Sequence, residues 1–366
     1  MESIKINDNE IMDDQKNILV FEFFSGIGGM HEALREIKNI KIIKIYPFDI
    51  NKNANEAYYH NFKIKPFSIT IEGFSLEDYE KIIESNLKNS NNIKLFLVWT
   101  MSPPCQPFTR QGKVEGLNDN RTKAFVHLMD NIFMKTKYLP DYFFLENVKN
   151  FEISEANKML TDILNKKNYS FLQFLLSPIQ FNIPNKRLRF YLIASRIKKF
   201  NVNEYTNNPD KFIEDANILF KEKILPKKDI QTFLNFSNNA NDDYIKNKNY
   251  YLTKETLEKK SCLSMDIALL GNTSTNCFTK GYTKLFKGAG SILLLNEQLY
   301  KEQLNPMTLF GFLRYFTPNE ILKFLFFSDD FSFPENFTEK TKYKLLGNSI
   351  NVKVVNILMD YLFNGD

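Results

Sequence analysis

Ile18-Leu19-Val20-Phe21-Glu22-Phe23-Phe24, running into Ser25-Gly26-Ile27-Gly28-Gly29, is the stretch that decides the fold. An apolar run without polar alternation reads as a strand covered on both faces. The glycines let the backbone turn at positive φ and approach a ligand closely. A helical pattern then runs from Met30 to Ile37. Strand, glycine turn and helix open a nucleotide-binding βαβ unit. The next strand, Ile42 to Phe48, ends in Asp49. An acid there, about 20 residues past the glycines, can accept the two ribose hydroxyls of an adenosine cofactor. The spacing is not G-x-G-x-x-G. A loop with few phosphate-facing amides suits S-adenosylmethionine, which carries no phosphate. An ordinary tight turn is the plain alternative, and Asp49 argues against it. Ile50 and Ile71 fit either an adenine sandwich or the core.

A second strand-to-loop junction lies downstream. Ile93-Lys94-Leu95-Phe96-Leu97-Val98-Trp99 leads into Ser102-Pro103-Pro104-Cys105-Gln106-Pro107-Phe108-Thr109-Arg110. Each proline fixes φ and lacks a donor, so the run is a rigid loop at the carboxyl end of a strand. In open α/β sheets ligands bind at that end, and the thiol of Cys105 projects from this loop. Asn118-Asp119-Asn120-Arg121 closes it, and a helical pattern covers Thr122 to about Lys137. Tyr142-Phe143-Phe144-Leu145 is another strand, ending in Glu146-Asn147-Val148. A helix (Ser154 to Lys166) and a strand (Phe171 to Leu176) follow. Ile183-Pro184-Asn185-Lys186-Arg187-Leu188-Arg189 then enters Phe190-Tyr191-Leu192-Ile193-Ala194. Two arginines spaced by one residue in an extended segment point the same way.

Composition narrows the class. The chain has 366 residues, 43% hydrophobic and 25% charged, as expected of a soluble globular protein of about two domains. No apolar run is long enough to span a membrane, and the polar, acidic first 15 residues are neither a secretory signal nor an Arg-rich transit peptide. Three cysteines (Cys105, Cys262, Cys277) without CxxC spacing argue against a disulfide framework or zinc site and for a reducing compartment. His31, His60 and His127 are too scattered for a metal cluster. A net charge of +5 permits a nucleic-acid partner without requiring one. Nothing points to an organelle, so a cytoplasmic or nuclear monomer, without metal or membrane, is the expectation.

Past Ser195 the character changes. Residues 200–260 are rich in Asn, Lys and Asp with little periodicity, which marks a boundary and a loop-rich insertion. Cys277-Phe278-Thr279-Lys280-Gly281-Tyr282, with Lys284 and Lys287, forms an aromatic-basic patch. Such a patch can stack on bases and hold phosphates, or be a solvated loop. Gly347-Asn348-Ser349 precedes a helical pattern through Ile350, Val354, Ile357, Leu358, Tyr361 and Leu362. Asn348 or Ser349 is placed to cap that helix, and the same turn can also touch a cofactor. The expected architecture is a Rossmann-like, mostly parallel α/β sheet with helices on both faces. It takes residues 1–195 plus 341–366, with a smaller target-recognition domain, 196–340, inserted between them.

In their order along the chain these motifs resemble the cytosine-5 methyltransferases. Phe24-Ser25-Gly26-Ile27-Gly28-Gly29 is similar to the family's first motif, Asp49 to its ribose acid and Pro103-Pro104-Cys105-Gln106-Pro107 to its nucleophile motif. Glu146-Asn147-Val148 resembles the base-binding motif, Arg187-x-Arg189 the paired arginines, and Gly347-Asn348-Ser349 with Asn351-Val352 the closing motif. Phe108-Thr109-Arg110 and Cys277-Phe278-Thr279 resemble the eukaryotic branch historically called type-two DNA methyltransferases, which mainly methylate aspartate transfer RNA. Asn185 departs from the Gln of many DNA-acting relatives. The resemblance implies a fold and an activity: methyl transfer from S-adenosylmethionine to C5 of a cytosine, cytosine 38 in the anticodon loop of tRNA(Asp). It also implies roles. Cys105 adds to C6, Glu146 grips the base, Arg187 and Arg189 favour the thiolate, and Arg189 binds O2. The cofactor site takes Phe24 through Gly29, Asp49, Ile50, Ile71, Glu72, Ser102, Asn348 and Ser349. The substrate meets Arg110, Arg121, Cys277, Phe278, Thr279, Lys280 and Tyr282. A DNA cytosine-5 methyltransferase is the nearest alternative, and a nucleic-acid-binding protein with little turnover is one of another class. A nicotinamide oxidoreductase explains only the first βαβ unit.

Overall fold

The computed structural model describes residues 15–90, 93–104, 122–235, 240–300 and 305–365. Strand β1 (Lys16–Phe23) is followed by α1 (Gly29–Arg35), β2 (Ile40–Phe48), α2 (Lys52–Phe62), α3 (Leu76–Asn89) and β3 (Leu95–Met101). Then come α4 (Lys123–His127), β4 (Tyr142–Val148), α5 (Glu155–Lys166), β5 (Ser170–Leu176) and β6 (Arg189–Ser195). They form one sheet in the order β2-β1-β3-β4-β6-β5. Neighbours from β2 to β4 pair in parallel. Strand β6 runs antiparallel to both β4 and β5, so it alone is reversed.

Strand periodicity sorts the side chains onto two faces. Ile18 and Val20 of β1 pack with Met30, Ala33 and Leu34 of α1 and Ala54 and Ala57 of α2. Leu19, Phe21 and Phe23 pack on the other face with Tyr79 and Ile83 of α3, Phe125 of α4, and Leu160 and Leu164 of α5. Both faces are covered, which is why β1 carries no polar alternation. The helical pattern after Thr122 is interrupted. Helix α4 passes at Leu128 into a π-helical turn through Phe133, and Met134 N–H donates to Met129 O at 2.9 Å.

The second half of the chain is built of short turns around a small sheet. After α6 (Asn217–Phe220), α7 (Ala240–Asn247) and α8 (Lys254–Leu257), strands β7 (Asp266–Leu269), β8 (Ser291–Leu294) and β9 (Leu313–Tyr315) line up in that order. Arg314 of β9 is fully buried between two carboxylates. Its Nε donates to Asp243 Oδ2 at 3.0 Å, and Nη1 to Glu320 Oε2 at 2.8 Å. Helices α9 (Pro318–Phe324), α10 (Glu339–Gly347) and α11 (Val352–Asn364) return the chain to the large sheet. Leu358 and Leu362 of α11 and Leu293 of β8 belong to the same apolar interior as Val20. The expected cap of α11 moves by two residues. Asn351, not Asn348 or Ser349, accepts Val354 N–H at 3.0 Å. Asn348 instead closes α10.

Candidate active site

The sheet order reverses at β1: β2 lies on one side and β3 on the other. The crevice outside the carboxyl ends of the strands at such a switch point is the usual ligand position in open α/β sheets. Three expected segments meet at that end. Ser25 N–H donates to Phe48 O at 3.0 Å, and Ser102 N–H to Phe23 O at 3.4 Å. The glycine turn, the end of β2 and the start of the proline loop are therefore backbone neighbours.

Asp49 fastens the first two. Its Oδ2 accepts Gly26 N–H at 2.9 Å and its Oδ1 accepts Asn51 N–H at 2.8 Å. Burial raises its pKa, and these two N–H groups oppose the rise. Each oxygen keeps a second lone pair. Gly26 has φ +55°, and a Cβ there would meet nothing within 4 Å. Phe24 also takes positive φ, 57°, which is strained for a bulky residue. In the turn, Ser25 Oγ is buried without a hydrogen-bond partner. An open turn with an orphaned hydroxyl and a half-free carboxylate fits the adenosine and amino-acid ends of S-adenosylmethionine. Ile50 is 65% exposed beside Asp49, whereas Ile71 is 4% exposed and belongs to the core under Phe74 and Phe48. The adenine sandwich is thus corrected on one side: Ile71 is interior. Ile27, Gly28 and Gly29 are buried, and Glu72 and Asn348 are exposed.

On the neighbouring strands a polar chain runs from the end of β3 over β4 to β6. Glu146, Arg189 and Ser102 lie on the same sheet face as Phe144, Tyr191 and Val98, by strand parity. Ser102 Oγ–H donates to Glu146 Oε2 at 2.6 Å, and Arg189 Nε stands 3.4 Å from Glu146 Oε1. Ser102, expected at the cofactor, directs its hydroxyl to Glu146 instead. Asn147 Nδ2 donates to Pro103 O at 3.1 Å, a second tie from the end of β4 to the proline loop. Cys105, Arg110 and Arg121 lie outside the described residues.

The arginines lead to the second half of the chain. Arg187 Nη1 donates to Cys277 Sγ at 3.4 Å and to Phe278 O at 3.2 Å. Its Nη2 donates to Gly347 O at 3.4 Å and also to Ser349 O. Arg189 Nη2 approaches the same sulfur at 3.9 Å. Burial pushes the Cys277 thiol up, but the two guanidinium groups together outweigh it and hold the thiol below its usual pKa. Arg187 is therefore a buried strut between the sheet, the Cys277 segment and the turn before α11. Asn185 adds a parallel tie: its Nδ2 donates to Thr275 Oγ1 at 3.0 Å and to Asn276 O at 3.1 Å.

The aromatic-basic patch is corrected. Phe278 and Tyr282 are each 2% exposed, packed edge-on to one another with ring centroids 5.1 Å apart. Tyr282 OH donates to Ser291 O at 2.7 Å. Neither ring is free to stack on a base. They belong to the apolar interior that also holds Val20 and Leu358, because an aromatic ring is worth more buried there than exposed. Thr279 is half-buried, while Lys280, Lys284 and Lys287 are exposed around Leu285. The surface here carries the lysines, and the rings are interior.

One cluster escaped sequence reasoning. Tyr58 OH donates to Glu22 Oε2 at 2.8 Å, and His31 Nδ1 lies 2.9 Å from the same hydroxyl. The hydroxyl thus bridges the carboxyl and the imidazole. The readable signal was an acid inside an apolar strand. Among the described residues no group of three or more His, Cys, Asp or Glu could hold a metal ion, and no helix is long and apolar enough to cross a membrane.

Comparison with known proteins agrees with this geometry. The family model described as C-5 cytosine-specific DNA methylase matches residues 18–364. A human protein named tRNA (cytosine(38)-C(5))-methyltransferase is 34% identical, across 94% of this chain and 98% of its own. A Dictyostelium discoideum protein named DNA (cytosine-5)-methyltransferase is 35% identical, across 95% of this chain and 94% of its own. The solved structure of the Entamoeba histolytica methyltransferase EhMeth is similar with a TM-score of 0.79 and 32% identity, covering 96% of this chain and 99% of that one.

Proposed function

The chain belongs to the C-5 cytosine-specific DNA methylase family, and on that footing we propose that it methylates C5 of a cytosine in transfer RNA, cytosine 38 in the anticodon loop of tRNA(Asp). The observation that carries the reading is Glu146, a buried carboxyl held between Ser102 and Arg189 near the carboxyl end of β4. Full-length similarity to the human tRNA enzyme supports RNA as the substrate.

Cytosine C5 is a weak nucleophile. Addition of the Cys105 thiolate to C6 moves the ring electron pair to C5 and makes it enamine-like. A free thiol has a pKa of about 8.5, so cations or backbone dipoles around the loop must favour the thiolate. Glu146 grips N3 and the exocyclic N4, and in its protonated form donates to N3 as sulfur attacks. Arg189 binds O2. Asp49 and the glycine turn hold S-adenosylmethionine, which when bound supplies the methyl group. The C5 proton then passes to a base or water, sulfur leaves C6 as the thiolate, and N3 returns its proton to Glu146, which restores the aromatic ring.

The base must leave its stack, at a cost of a few kcal/mol in a duplex and less in a loop. An anticodon loop is therefore an accessible substrate, and Lys280 with its lysine neighbours would hold the flanking phosphates. Residues 1–195 with 341–366 form the catalytic part, and 196–340 the recognition part. The Dictyostelium relative's name makes duplex DNA the second reading.

Incubation with methyl-labelled S-adenosylmethionine and either transfer RNA or duplex DNA separates the two. Label is expected on transfer RNA and is expected to fall to background with Cys105→Ala. Label on DNA alone would establish the second reading, and undiminished label with Cys105→Ala would rule out the covalent route.

A further inference from the structure

We propose that Ser102 is a positioning residue: its hydroxyl sets the plane in which the Glu146 carboxyl meets the cytosine. The inference rests on the cytosine chemistry proposed above.

The terminal torsion of a glutamate joins sp³ to sp² carbon and has a broad, shallow preference. A carboxyl that must face N3 and N4 together therefore needs an outside hold on its oxygens. Among the described residues two are present, and they are unequal. Ser102 Oγ lies 2.6 Å from Oε2, within the range of a charge-assisted O–H···O⁻ bond. Arg189 Nε lies 3.4 Å from Oε1, beyond the usual 2.7–2.9 Å range of such a bond from nitrogen. The hydroxyl is the tighter hold.

Ser102 is itself fixed. Its N–H donates to Phe23 O at 3.4 Å, and Asn147 Nδ2 holds the next carbonyl, Pro103 O, at 3.1 Å. The hydroxyl position is thus set by β1 and β4 together. A hydroxyl also suits a group that changes protonation state. It donates to Oε2 of the carboxylate, and when the proton sits on the oxygen facing N3, Oε2 is a carbonyl oxygen that still accepts from the hydroxyl, so the contact survives a proton moving between Glu146 and N3. Because Ser102 stands three residues before Cys105 in the sequence, one short segment carries both the proposed nucleophile and the hydroxyl that orients the acid.

The test measures kcat and KM on whichever polynucleotide takes the label. Ser102→Ala is expected to lower kcat about ten- to hundredfold, the worth of a hydrogen bond to a charged group. KM for the polynucleotide and for S-adenosylmethionine should stay within about threefold. Ser102→Thr, which keeps the hydroxyl, should recover most of the rate. In a Glu146→Gln background, Ser102→Ala should leave the residual rate unchanged, because the hydroxyl acts through Glu146. A Ser102→Ala kcat within threefold of wild type overturns the inference. So does an equal further loss in the Glu146→Gln background. Wild-type protein that labels neither RNA nor DNA overturns the proposed function and this inference with it. Labelling by wild type with unimpaired Ser102→Ala overturns this inference alone.

Discussion

Glu22 shows what one misplaced-looking side chain can do. It follows Val20 on the α1 side of the sheet, with Tyr58, His31 and the Asp49 carboxylate around it. Burial pushes its carboxyl up to about 8, and burial with nearby Arg35 takes His31 down to about 4. Both groups stay neutral in the fold, with opposite consequences. The folded chain keeps a proton on Glu22 that the unfolded chain releases, so stability falls as pH rises from about 4.3 to 8. The unfolded chain takes a proton on His31 that the folded chain refuses, so stability rises with pH from about 4 to 6.5. The two oppose each other below pH 6.5, and Glu22 acts alone above it. The urea midpoint should therefore drop between pH 6.5 and 8, by at most about 2 kcal/mol in stability at 1.4 kcal/mol per pH unit. Glu22→Gln should flatten that slope, and an unchanged slope would refute the assignment. The acid was visible in the sequence as a charge within an apolar run. Its partners were not, because Tyr58 and His31 reach it only through the packing of α2 beside α1.

Elements were legible where periodicity was strong. β1, β2, β4 and α5 fall where their apolar patterns place them, since burial on one or both faces dictates the pattern. The reading failed where a local choice is made by distant contacts. Gly347-Asn348-Ser349-Ile350-Asn351 offers several side chains able to cap a helix. Asn351 wins because its Nδ2 also donates to Phe324 O at 3.0 Å, joining α11 to the end of α9. Nothing in the local sequence reveals that partner. Asn351→Ala removes the cap, worth ~1 kcal/mol, and orphans a buried carbonyl at a further ~1–3 kcal/mol. A loss of about 2–4 kcal/mol is expected by urea titration with unchanged m. A loss below about 0.5 kcal/mol would place the helix stop elsewhere.

At the scale of the molecule, composition suggested a break after Ser195, and the interior crosses it. Val20, Phe174, Phe220, Leu293 and Leu358 share one apolar cluster. The backbones are as close: a Cβ on Gly347 would lie 2.1 Å from Lys280 N. Composition reports what a segment is made of, not which surfaces it covers. The two parts should therefore unfold together. Trp99, the single tryptophan, is buried in the opposite face of the large sheet and reports on that sheet alone. Its fluorescence and the far-ultraviolet circular dichroism of the whole chain should give coincident urea midpoints. Separated midpoints would make the part after Ser195 an independent folding unit.

The strut formed by Arg187 has a consequence for how the protein is made. Its acceptors Gly347 O and Ser349 O lie 160 and 162 residues further along the chain. A ribosome delivers the guanidinium long before it delivers those carbonyls. The large sheet can assemble on the emerging polypeptide while this cation still faces water, and the crevice matures only once the final helices have been translated.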